Sequence, residues 1–113
     1  MYLWEVKEIL EADVLLGEKN LDQEIHSACG CDFMSDVLAF VKDQSMLLTG
    51  MVNPQVVRTA EMMDMKCIVF VRGKQPDEVT LRLAEERNIV VMASPKRLYT
   101  ACGLLFKNGL AGE

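Results

Sequence analysis

Cys67-Ile68-Val69-Phe70-Val71, the turn Arg72-Gly73-Lys74-Gln75-Pro76, the charged run from Asp77 to Arg87, and Ile89-Val90-Val91-Met92-Ala93 form the stretch whose reading decides the fold. A short apolar run rich in β-branched residues, an amphipathic helix and a second short apolar run make one βαβ unit, with its two strands parallel and the helix across one face. Neither run alternates with polar residues. Strands of that kind are covered on both sides, so further helices must pack on the opposite face of the sheet.

Working outward, the chain of 113 residues, 50% hydrophobic, is expected to form one domain, residues 1–113, with a core large enough to need no disulfide. It carries 17 Asp+Glu against 12 Lys+Arg, a net charge of -5, and its long-range field repels nucleic acid and anionic lipid. No apolar run is long enough to span a bilayer, and Met1 to Ala12 interleaves Glu5, Lys7, Glu8 and Glu11 with apolar residues, unlike a signal peptide. Cys29, Cys31, Cys67 and Cys102 are accordingly expected as reduced thiols in a cytoplasmic protein.

Tyr2 to Ala12 places Leu3, Val6, Ile9 and Leu10 at helical spacing, and Val14-Leu15-Leu16 follows as a strand closed by a turn at Gly17 to Asn20. Leu21 to Ala28 alternates weakly and predicts an edge strand. Asp32 is placed to cap a helix from Phe33 to Lys42, with Val37, Leu38, Phe40 and Val41 on its buried face. Ser45 to Thr49 is the next strand. Asn53-Pro54 then opens a helix with Val56, Val57, Ala60 and Met63 inward, and Met62, Met63 and Met65 are expected mainly as core filler. Pro76 with Asp77 and Glu78 starts the helix of the central unit. Ser94-Pro95 repeats the signal for a last helix with Leu98, Ala101, Cys102 and Leu105 inward, stopped by Lys107-Asn108-Gly109.

Chemistry-bearing motifs are sparse. Cys29-Gly30-Cys31 could offer two thiolates to a soft metal, but Cys67 and Cys102 stand alone and His26 is the sole histidine, so no metal and no cofactor is expected. His26 has no nucleophile elbow or orienting acid placed by motif and reads as a surface residue. Neither a Walker sequence nor G-x-G-x-x-G follows a strand. What remains is positional: in open parallel sheets, ligands bind beyond the carboxyl ends of the strands. The residues expected there are Asp32, Ser35, Asp36, Thr49, Asn53, Arg72, Gly73, Lys74 and Ser94, with Arg72 and Lys74 suited to a small anion or a nucleotide phosphate. Each of them also suits a plain cap or turn.

Taken together, Val6-Lys7-Glu8-Ile9-Leu10, Val14-Leu15-Leu16-Gly17, Cys31-Asp32-Phe33-Met34-Ser35-Asp36-Val37-Leu38, Val71-Arg72-Gly73-Lys74-Gln75-Pro76-Asp77-Glu78 and Leu83-Ala84-Glu85-Glu86-Arg87-Asn88-Ile89, with the last helix, resemble the DRTGG domain family. The likeness is greatest to its short, stand-alone members found beside iron-only hydrogenase and signalling genes. It implies a three-layer α/β/α domain with a mostly parallel sheet of about five strands, similar to the N-terminal domain of HPr kinase/phosphorylase. It also implies a non-catalytic regulatory or ligand-sensing module that self-associates as a homodimer and works with a redox, hydrogenase or signalling partner protein. Relatives are attached to CBS-pair pyrophosphatases and phosphotransacetylase-type enzymes. The Thr-Gly-Gly of the family name falls near Val71-Arg72-Gly73, where one glycine remains and an arginine is introduced, and its Asp-Arg falls near Val52-Asn53, where both charges are absent.

Two further readings compete with that module. One is a purely structural dimerisation or protein-interaction domain without a ligand; the other is an enzyme acting through Asp32, Asp36 and Arg72. Exposed Trp4, Met62 and Leu104 add to the expectation of a dimer, because so small a core cannot house them.

Overall fold

The computed structural model describes residues 1–41, 43 and 45–112. Among these, the elements run α1 (Leu3–Leu10), β1 (Asp13–Leu16), β2 (Ala28–Gly30), α2 (Met34–Phe40), β3 (Met46–Thr49), α3 (Pro54–Met62), β4 (Cys67–Phe70), α4 (Glu78–Glu86), β5 (Val90–Ala93) and α5 (Leu98–Lys107). The sheet has the order β1-β5-β4-β3-β2. β2, β3, β4 and β5 are mutually parallel, and β1 pairs antiparallel with β5. β4 is therefore the central strand, as its unbroken apolar run requires.

Within those runs the pleat still divides the side chains. Met46, Leu48, Val69 and Met92 face α1 and α5, packing on Leu3, Val6, Leu10, Ala101 and Leu105. Leu47, Ile68, Phe70 and Val91 face α2, α3 and α4, packing on Val37, Val56, Val57, Ala60 and Ala84. Three layers follow from a period of two in the strands and 3.6 in the helices. The expected α/β/α architecture is thus present.

Local chemistry ends the helices where it was legible. Asn53 Oδ1 accepts from Gln55 N–H at 3.0 Å and Pro54 stands at the first helical position of α3. At α4 the start differs from the expected one: Asp77 Oδ1 accepts from Thr80 N–H at 2.8 Å and is itself the cap, so the helix opens at Glu78 and Pro76 stands one residue before the cap. The bonds from the Thr80 amide and hydroxyl hold the Asp77 carboxyl below its usual range. A carboxyl with a depressed folded-state pKa contributes stability that is present above its unfolded pKa and lost as pH falls through the folded value. Asp77→Asn, which still caps but does not titrate, should show a shallower acid slope of melting temperature between about pH 5 and about pH 2. Thermal melts across that window provide the check, and identical slopes would refute the assignment.

Other expectations are corrected. Leu21 to Ala28 is not a strand: it turns at Leu21–Asp22, makes single bridges at Glu24 and Ser27, and pairs as β2 only from Ala28. Its carbonyls are drawn away by the open end of α1, since Leu3 N–H donates to Gln23 O and Trp4 N–H to Leu21 O. Gly17 to Asn20 holds a short 3-10 turn over Glu18–Asn20. The helix expected to reach Lys42 ends at Phe40, where Val41 turns extended; Lys42 itself lies outside the described residues. Leu104 is half-buried against the core, whereas Trp4 and Met62 are exposed. Met65 is buried and Met63 partly so, which agrees with filler at those positions.

Candidate functional site

The parallel strands carry their carboxyl ends to one rim. β2 delivers Asp32, β3 delivers Thr49 and Gly50, β4 delivers Arg72 and Gly73, and β5 delivers Ser94. Because β1 is antiparallel, the segment that precedes it, with Glu11, arrives at the same rim.

Asp32 does not cap α2, whose first turn begins after Phe33 without a side-chain cap. Its Oδ1 reaches across to β3 and accepts from Gly50 N–H at 2.7 Å and from Thr49 Oγ1 at 3.0 Å. The Thr49 oxygen in turn accepts from Met51 N–H. Ser94 does not cap α5 either. It is fully buried, donates through Oγ to Leu10 O at 2.7 Å and accepts from Lys96 N–H, so that it ties the end of α1 to the rim. α5 starts three residues after Pro95, behind Arg97, with no side chain capping its first amides.

Arg72 has φ +60°, and Gly73 follows at +69°. A left-handed arginine is uncommon and costs energy that its surroundings must supply. Here the Arg72 amide donates to Lys96 O at 2.7 Å and the Gly73 amide to Ser94 O at 2.9 Å. That conformation lays the Arg72 side chain over Gly50, where an added Cβ would stand 2.9 Å from Nη2. The Arg72 guanidinium and the Lys74 ammonium have no carboxylate within ion-pair distance among the described residues. Glu78, which could have drawn Arg72 away, pairs with Arg82 instead.

Lys96 joins the rim but is spoken for, since its Nζ lies 2.6 Å from Glu11 Oε2 and lowers the pKa of that carboxyl. The backbone amides of residues 50 and 72–74 are likewise all bonded within the chain, the last to Val71 O. At these positions side chains, not a backbone nest, are therefore the donors the rim has to offer.

Of the residues expected at the rim, Asp32, Thr49, Arg72, Gly73 and Ser94 are linked to one another directly or through Gly50. Asn53 is occupied as the cap of α3. Ser35 and Asp36 are exposed on the first turn of α2 and their side chains make no bond among the described residues. Lys96 also stands at the rim, two residues after Ser94, and Glu11 joins it only through the direction of β1, which no local signal encodes.

His26 is not solitary: its Nδ1 lies 2.8 Å from Ser45 Oγ and its Nε2 2.8 Å from Asp43 O. The Asp43 carboxylate is 3.5 Å from Nε2 and almost wholly exposed, while Ser45 is buried, so the set pins the start of β3 and presents no accessible nucleophile. Burial, with the nearby Cys31 and Cys102 thiols, pushes the Cys29 thiol up to about 11, away from the thiolate that metal binding or redox exchange needs. Among the described residues no group of three or more His, Cys, Asp or Glu could hold a metal ion.

With this geometry in view, the family model for the DRTGG domain matches residues 5–107. The chain belongs to the DRTGG domain family. This domain also superposes on the crystal structure of the CBS and DRTGG domains of the regulatory region of Clostridium perfringens pyrophosphatase, in complex with its activator diadenosine tetraphosphate, with a TM-score of 0.71 and 14% sequence identity. The match covers 92% of this chain and 45% of that one, so the DRTGG domain here spans less than half of the protein it resembles. At that identity the likeness establishes a shared fold. No curated protein matches the sequence. No helix among the described residues is long and apolar enough to cross a membrane.

Proposed function

We propose that this DRTGG domain is a non-catalytic regulatory module that senses a small anionic ligand at the carboxyl rim of its sheet. The carrying observation is Arg72: held left-handed by bonds to the β5 loop, laid across Gly50 and left without a carboxylate partner among the described residues. Such a guanidinium is poised to bind a phosphate or carboxylate through two parallel bonds. Lys74 and the uncapped amides of α5 add positive potential beside it. Asp32, tied to Gly50 and Thr49, stiffens the floor of the site. Membership of a family represented in the regulatory region of another enzyme supports the regulatory role, and the activator of that enzyme, a dinucleotide, makes nucleotides the first ligands to test.

The module is further proposed to act in the cytoplasm as a homodimer serving a redox, hydrogenase or signalling partner. Exposed Trp4, Phe33, Phe40, Tyr99 and Phe106 favour association over a solitary existence.

A thermal-shift screen with nucleotides and small phosphorylated metabolites tests the site. A ligand at about 100 times its dissociation constant adds roughly 2.7 kcal/mol of apparent stability. Arg72→Ala should abolish that shift and leave the unliganded melting temperature almost unchanged, because an exposed arginine contributes little to stability. Retention of the shift in the mutant would move the ligand elsewhere, and silence of the wild-type protein to the whole set would favour the pure interaction domain.

A further inference from the structure

We infer that the outer face of α1, centred on Tyr2 and Trp4, docks an arginine-bearing segment of a partner protein. The inference rests on the reading above that the module serves a partner, and adds where that partner docks and what charge it brings.

The net charge of -5 belongs to one segment of the chain. Residues 1–24 hold seven side-chain carboxylates against Lys7 and Lys19, while the remaining residues hold ten carboxylates against ten Lys and Arg. The segment folds as one surface. Leu3, Val6 and Leu10 are buried toward the sheet, so the helical period turns Trp4 and Glu8 outward, one turn apart. The loop after the 3-10 turn closes on the start of α1: Leu21 O accepts from Trp4 N–H at 3.0 Å, and Glu24 forms a single antiparallel bridge with Tyr2. Asp22, which lies between these two attachments, is exposed. Trp4 is thus flanked by Glu8 along the helix and by Asp22 and Glu24 across the loop.

Two rings stand inside this acidic surround. Tyr2 and Trp4 are stacked, with centroids 6.4 Å apart and planes 9° from parallel. Trp4 is nevertheless 52% exposed and Tyr2 42%. The face of an indole is electron-rich and attracts a cation placed over it. Glu8 and Asp22 make no ion pair and no side-chain hydrogen bond among the described residues, and Glu24 reaches only the Met1 ammonium, at 3.9 Å.

Charge and shape select the occupant. A guanidinium stacks on an aromatic face while its edge donates to carboxylates, and both partners are offered here within one helical turn. Nucleic acid and anionic lipid are repelled by the same field. A second copy of this chain is disfavoured on this face, because a two-fold axis would set one acidic segment against the other.

Trp4 is the sole tryptophan of the chain, so its emission reports on the face directly. Titration with hexa-arginine capped at both ends should change that emission, with a dissociation constant that rises at least tenfold in Glu8→Gln/Asp22→Asn. Asp64→Asn/Glu85→Gln removes the same charge from exposed positions beside α3 and α4, across the sheet, and should stay within twofold of wild type. All four positions are exposed, so circular dichroism should show folded protein throughout. The same peptide with citrulline in place of arginine should not bind. Equal weakening in the two double variants, binding that leaves the emission unchanged, or equal binding of the citrulline peptide would overturn this face and leave the partner to another surface. Failure of hexa-arginine to bind the wild-type protein would overturn the arginine-bearing partner and the face with it. The anion site at the rim, read through Arg72→Ala, is touched by none of these results.

Discussion

Phe70→Asp should leave the chain unfolded at room temperature. Phe70 is fully buried in β4, the central strand, on the same face as Ile68 and against the layer formed by α2, α3 and α4. Removing a buried phenyl ring costs about 3–5 kcal/mol in lost transfer energy and cavity. An aspartate there has no cation to meet, and burial of an unpaired carboxylate adds several kcal/mol whether it stays charged or takes up a proton. Domains of this size are stable by about 5–15 kcal/mol in all, so the sum exceeds most of the margin. Far-UV circular dichroism and proton chemical-shift dispersion should both report loss of structure. Val79→Asp, at a position 61% exposed on α4, is the matched control and should fold normally. A cooperative melt of Phe70→Asp close to the wild-type temperature would mean that β4 is not the centre of the sheet.

Asp32→Ala should be the most damaging substitution at the rim, by about 2–4 kcal/mol. One carboxylate oxygen holds both the Gly50 amide and the Thr49 hydroxyl, and Thr49 is wholly buried. Truncation leaves two donors without an acceptor, at about 1–3 kcal/mol each, reduced where water can enter beside the half-buried Asp32. For a domain of this length the loss corresponds to a drop in melting temperature of roughly 10 °C. Asp32→Asn, whose amide oxygen still accepts, should recover more than half of it. The exchange rate of the Gly50 amide identifies the cause: it should rise sharply in Asp32→Ala. Were Asp32 acting only as a helix cap, the cost would be about 1 kcal/mol and Gly50 would stay protected. Loss of the bridge should also loosen the surface on which Arg72 lies, so the ligand response should weaken in Asp32→Ala even at temperatures where the protein is folded.

The contrast between Asn53 and Asp32 shows how far a sequence can be read. Asn53 precedes a proline and a helical stripe, and it caps the helix that follows, a bond to the residue two positions on. Asp32 precedes an equally good helical stripe, yet its bonds run to residues 17 and 18 positions away. Ser94 repeats the lesson over 84 residues, in its bond to Leu10. Aspartate and serine accept and donate equally well to near and distant partners, and the short-range pattern does not say which partner wins.

The sequence by itself determined the layered core. Unbroken apolar runs at β3, β4 and β5, helical stripes between them and the cap at Asn53 are local properties, and burial of two apolar faces leaves a parallel, three-layer sheet as the consistent solution. It also determined which residue types stand after each strand. Tertiary structure alone decided that β1 runs antiparallel and brings Glu11 to Lys96, that the carbonyls of Leu21 and Gln23 serve α1 in place of an edge strand, and that Arg72 adopts a left-handed backbone over Gly50. The physical reason is common to all three. Each is settled by hydrogen bonds and ion pairs between segments far apart in the chain, whose energies exist only once the sheet has assembled and set those segments side by side.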